Sequence, residues 1–112
     1  PIAYLKEVEA CEDVMVKMGI KSIGFRPPYG RLRPSFYYGK SPILHTYMWS
    51  ILTGDYNSSL DPKQVIVSCK NAIKPGAILV FHDSLKAFPL LKIVLPALLK
   101  YCVHQGLKPI SL

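Results

Sequence analysis

Between Ile2 and Met18 the apolar residues Ile2, Leu5, Val8, Met15 and Met18 fall on one face of a helix, and Gly19 is placed to cap its end. Ser22–Phe25 reads as a short strand that runs into a proline-rich loop, Arg26–Pro34. Ser35–Lys40 is expected to form a short helix, and Leu44–Leu52, rich in aromatic and large apolar residues, a buried strand. Thr53–Ser59 is a loop. The next helix is well punctuated: Asp61 can cap it, Pro62 suits the first turn and Gln64 completes a capping box. Val65, Cys69, Ala72 and Ile73 form its inner face, and Pro75-Gly76 stop it. Ala77–Phe81 is an unbroken apolar run, the pattern of a strand covered on both faces. Leu90–Gln105 is a further helix with Leu91, Val94, Leu95, Leu98 and Cys102 inward, a kink expected at Pro96 and a stop at Gly106. Lys108–Leu112 is expected as a last short strand.

Alternating helices and strands of this kind predict an α/β fold of βα units around a largely parallel sheet or barrel. In such folds chemistry gathers just beyond the C-terminal ends of the strands. Here that rule selects Arg26–Gly30, Gly54–Asn57 and His82–Ser84.

Composition excludes several classes. At 112 residues, 50% hydrophobic and 11% aromatic, the chain suits one domain and is too apolar for disorder. Its longest apolar runs are far shorter than a membrane span, and no basic segment precedes an apolar stretch as in a signal peptide. The chain begins at Pro1 and its first methionine is Met15, so either something was removed from its front or it is a piece of a longer protein. Fourteen bases against seven acids give a formal charge of +7, with four of the acids inside the first 13 residues. The lysines at 63, 70, 74, 86, 92 and 100 are spread singly over helical segments, the pattern of a solvated face rather than a nucleic-acid surface; only Arg26, Arg31 and Arg33 cluster. Cys11, Cys69 and Cys102 have neither disulfide-framework nor zinc-finger spacing, and core packing is expected of all three.

Each selected strand end has a chemical and a structural reading. In Arg26-Pro27-Pro28-Tyr29-Gly30 the prolines and the glycine make a rigid turn that could aim an N–H at negative charge, with Arg26 free to hold a carboxylate; a structural loop bearing a surface arginine is the alternative. After Trp49, Asp55 could orient a histidine, and Tyr56 or Trp49 could stack on a sugar; an Asx-type turn with core aromatics is the alternative. His82, at the end of an apolar strand, is placed for acid–base work or for a satisfied structural role. His45 and His104 read as structural.

Taken in order, Arg-Pro-Pro-Tyr-Gly at 26–30, Trp49 through Asp55-Tyr56, and Val80-Phe81-His82-Asp83 resemble the third, fourth and fifth motifs of the polysaccharide deacetylases, the NodB homology domain of carbohydrate esterase family four. The intervals of 29 residues from Arg26 to Asp55 and 27 from Asp55 to His82 are similar to those of the family, as are Ser84, Lys86-Ala87 and Leu95-Pro96. The resemblance runs from about Ile20 onward and implies the C-terminal part of a distorted (β/α) barrel of the NodB type over residues 1–112. It implies removal of N-acetyl or O-acetyl groups from carbohydrate, above all glycans containing N-acetylglucosamine, with a divalent metal, often zinc, whose water attacks the acetyl carbonyl. By the same resemblance Arg26 would hold the catalytic base, the Tyr29 backbone N–H would help form the oxyanion hole, and His82 would be the general acid, tuned by Asp55. Pro28, Trp49, Tyr56 and Val80 would line the substrate groove. Tyr56 stands where the family commonly has Trp, and Val80 where it has Leu.

The first two motifs, an adjacent Asp pair and His-x-x-x-His, are absent, because the histidines lie at 45, 82 and 104 and no two aspartates are adjacent. This chain therefore has no assigned metal ligand; the base and ligands are expected N-terminal to Pro1, and the chain alone is expected to be inactive. Expected partners are an acetylated polysaccharide or oligosaccharide and the missing part of the same domain, with no nucleic acid and no membrane span. The resemblance points to the cell envelope or a secreted protein. A non-catalytic carbohydrate-binding relative is the alternative. A partial barrel would leave strand edges and apolar surface uncovered, so the isolated chain is expected to be aggregation-prone or to need a partner.

Overall fold

The computed structural model describes residues 2–32 and 45–112, which divide into two units, Pro1–Met48 and Trp49–Leu112. The expected Ser35–Lys40 helix, Arg33 and Leu44 lie outside the described residues.

In the first unit, helix α1 spans Ile2–Lys17. It ends as its glycine predicts: Gly19 takes φ 73, its N–H donates to Val16 O, and Ile20 N–H donates to Met15 O at 2.9 Å, the paired bonds of a Schellman motif. That reversal leaves Met18 exposed rather than on the inner face, and Cys11 is exposed as well, against the core position expected of it. Leu5, Val8 and Met15 are half-buried. Tyr4 packs edge-on against Phe25, with ring centroids 6.2 Å apart.

The strand expected at Ser22–Phe25 is reduced to one parallel bridge, Phe25 to Thr46, in which Phe25 N–H donates to His45 O and Tyr47 N–H to Phe25 O. Pro27 and Pro28 supply no N–H, so the ladder cannot run on. Gly24 is required by close approach: a Cβ there would enter the Tyr47 ring and come within 2.6 Å of His45 O.

The second unit is a β–α–β–α chain. Strand β1, Ile51–Leu52, pairs in parallel with β2, Leu79–Val80, in the register Ile51 to Leu79 and Leu52 to Val80. Helix α2, Pro62–Ala72, lies between them, and α3, Phe88–His104, follows β2. Asp61 caps α2 by accepting from Lys63 N–H at 3.1 Å; Gln64 makes no return bond, so the cap is half of the expected box. The core is Ile51, Val65, Cys69, Leu90, Val94 and Leu98, with Leu79 and Phe81 packed against it.

Both expected buried strands are shorter and less covered than their composition suggests. Among the described residues 45–52 only Ile51 is buried, and Leu52 is exposed; Ala77–Phe81 is half-buried throughout. Ile51 packs into the core with residues of both helices, while Leu52, next along the strand, points to the opposite face. Lys108–Leu112 pairs with nothing among the described residues, so the expected last strand is absent and Ile110 is exposed. Ala72 is exposed, and Cys102 half-buried, where both were expected inward. Helix α3 starts two residues early because Ser84 accepts from Ala87 and Phe88 N–H and so winds the turn before it. It continues through Pro96, which lies on the exposed side. No helix among the described residues is long and apolar enough to cross a membrane.

Candidate acid–base site

The β1–β2 pair ends where the chemistry was expected. Thr53, buried, directs both its N–H and its hydroxyl (2.8 Å) to Val80 O. Gly54 then turns the chain at φ 74, a conformation that suits glycine, and accepts from Asn57 N–H at 2.8 Å. This brings Asp55 inside with no exposed surface at all.

Asp55 holds His82 twice. Its Oδ2 accepts the His82 backbone N–H at 2.7 Å, and its Oδ1 lies 2.7 Å from the His82 Nδ1. An acceptor-only carboxylate at that distance assigns the proton to Nδ1 and leaves Nε2 as the nitrogen that exchanges protons. The His82 side chain is 41% exposed, so one edge of the imidazole is fixed by a buried carboxylate while the other reaches solvent. Tyr56 meets the ring edge-on with centroids 5.1 Å apart and restricts it from a third side. The Asx turn that was the alternative for Asp55 occurs two residues on, at Asn57, whose Oδ1 accepts from Ser59 N–H and Oγ.

Of the expected site residues, Asp55, Tyr56, Val80 and His82 are thus joined in one unit. Val80 contributes its carbonyl to the Thr53 hydrogen bonds, and Trp49 is half-buried at the start of the unit. Sequence reasoning missed Thr53 and the His82 N–H; a hydroxyl residue directly before the glycine that ends a strand was the available signal.

Arg26, Pro28 and Tyr29 belong to the first unit. Arg26 is exposed and donates from Nε to Tyr47 O at 3.2 Å, and its terminal nitrogens bond to none of the described residues. Pro27 is buried, and Pro28–Gly30 form a single 3-10 turn closed by Gly30 N–H to Pro27 O and Arg31 N–H to Pro28 O. Tyr29 sits in the left-handed region at φ 55, ψ 20, a costly conformation for a residue with a Cβ, and is 91% exposed. Its N–H has no hydrogen-bond partner among the described residues.

His45 and His104 are exposed rather than packed. Among the described residues no group of three His, Cys, Asp or Glu converges, and both oxygens of Asp55 are engaged by His82, so these residues do not by themselves form a metal site. Burial pushes the Cys69 thiol above its ordinary value, which suits packing rather than reactivity. No family model, curated protein or solved structure matches the chain.

Proposed function

We propose that the chain is the C-terminal part of a polysaccharide deacetylase domain, a partial (β/α) barrel of the NodB type, and supplies the acid side of amide or ester hydrolysis on an acetylated glycan. The observation that carries this reading is the double hold of buried Asp55 on His82, which presents Nε2 to solvent in a fixed orientation. A ring held this way, once Nε2 has taken up a proton to give the imidazolium, can deliver that proton to a leaving amine without first paying for its own orientation. The strained Tyr29, whose N–H is unengaged among the described residues, fits a donor to a developing oxyanion, and the edge of Arg26 that no described residue occupies fits a carboxylate partner. The general base and the ligands that would hold a divalent metal, zinc above all, would come from sequence upstream of Pro1. Tyr56, exposed beside His82, would contact the sugar.

The coding sequence upstream of Pro1 is the first test: without an adjacent Asp pair and a His-x-x-x-His segment, the enzymatic reading fails. In the protein carrying them, His82→Ala should slow acetate release from N-acetylglucosamine oligomers by about 10²–10⁴-fold, the usual range for an acid–base group. An unchanged rate would remove His82 from the mechanism. Binding of the same oligomers that survives a chelator, with no acetate released, would instead favour a carbohydrate-binding relative.

A further inference from the structure

Helix α3 is apolar on both sides. Its inner side, with Leu90, Val94 and Leu98, is in the core, but Phe88, Ile93, Leu99 and Val103 are 43–68% exposed. At about 100° per residue these four fall with Pro96 within one outward arc of roughly 140°. Lys92 and Lys100 lie in the same arc, and the Lys92 ammonium sits 5.7 Å over the Phe88 ring. A helix apolar all round is normally covered.

The charge says by what. Neither α2 nor α3 contains a single Asp or Glu. Beside the stripe, a cleft of about 430 Å³ between these helices is lined by Lys70, Lys100, His104, Gln105, Ala97 and Tyr101, with the Lys70 ammonium 5.2 Å over the Tyr101 ring. A second copy of the chain docked α3 to α3 about a two-fold axis would set these lysines near their own images, with no acid on either helix to separate them. An anionic bilayer surface meets both demands: acyl chains take Phe88, Leu99 and Val103, and headgroup phosphates take the lysines.

We propose that the outer face of α3, with the α2–α3 cleft, docks on an anionic phospholipid surface, lying on it rather than spanning it. This stands or falls independently of the chemistry at His82.

The test is co-sedimentation of the full chain with vesicles of phosphatidylcholine alone and of equal parts phosphatidylcholine and phosphatidylglycerol. Binding is expected to the mixed vesicles only and to weaken with salt. Lys92→Gln with Lys100→Gln should lower partitioning about 30-fold, from roughly fivefold per lysine. Val103→Ser should lower it severalfold, and both variants, at exposed positions, should keep the parent's circular dichroism. Equal binding to both vesicles, binding to neither by folded protein, or a double variant that partitions like the parent would each overturn the proposal. So would a dimer in sedimentation equilibrium that Val103→Ser dissolves, because a second copy would then cover the face.

Discussion

Replacing Asp55 tests the His82 hold most directly, because the carboxylate has no contact with solvent and both its oxygens serve one residue. A hydrogen bond to a charged group contributes about 2 kcal/mol net and a neutral one about 1 kcal/mol, so the two bonds from Asp55 are worth about 4 kcal/mol. Asp55→Asn keeps the shape. Its Oδ1 can still accept the His82 backbone N–H, but the side that faces the ring now offers an N–H, and a bond forms only if Nδ1 gives up its proton to Nε2. Two neutral bonds then replace two charged ones, a loss of about 2 kcal/mol. Asp55→Ala removes both; the exposed ring recovers water but the backbone N–H does not, and about 3–4 kcal/mol is expected to go.

Urea unfolding of the three proteins measures the order, and long-range proton–nitrogen correlation of the imidazole measures the tautomer. The parent should carry its proton on Nδ1 and Asp55→Asn on Nε2. A parent ring protonated on Nε2 while neutral, or an Asn variant within about 0.5 kcal/mol of the parent, would refute the double hold and with it the orientation on which the acid role depends.

Thiol titration should find Cys11 reacting at once and Cys69 only on unfolding. Because burial raises the folded Cys69 thiol above 9.0, its stabilising contribution is complete below that pH and is lost as the pH rises through the folded value; Cys69→Ala should remove this alkaline slope from the urea midpoint. Thr53→Val, which deletes the 2.8 Å bond to Val80 O without changing shape, should cost about 1 kcal/mol and speed amide exchange at His82; unchanged exchange would separate Thr53 from the site. Gly24→Ala should speed amide exchange at Phe25 and Tyr47, where the added Cβ meets the Tyr47 ring and His45 O, and leave the second unit alone.

What the sequence made legible was what short-range chemistry decides. Asp61-Pro62 starts α2, and Gly19 and Gly106 end α1 and α3, since caps and left-handed stops are written within a few residues. Asp55 and His82 were picked as strand-end residues, and both lie at the end of the β1–β2 pair. Strand extent was not legible. An apolar run such as Ala77–Phe81 reports that a segment can be covered, while pairing and coverage depend on neighbours elsewhere in the chain; here the ladder is two residues long. The same reasoning misplaced Cys11, whose helix turns an exposed side where the pattern suggested an inner one.

The site is a consequence of how that short ladder stops. Ile51 pairs with Leu79 and Leu52 with Val80, and Thr53 makes the last backbone bond, to Val80 O. A longer ladder would hand the next donor, the His82 N–H, to a carbonyl of the first strand. Gly54 turns that strand away, and the Asp55 carboxylate takes the donor instead. Once the backbone of His82 is bound to one oxygen of Asp55, the other oxygen lies within reach of Nδ1, so ring orientation follows from strand termination. The two residues are therefore unequal as targets. His82→Ala leaves the backbone bond to Asp55 intact and removes only the imidazole, which isolates its chemistry, whereas any change at Asp55 also reopens the end of the ladder. A loss of activity at Asp55 can be charged to orientation only after the urea midpoint and His82 amide exchange have been separated from it.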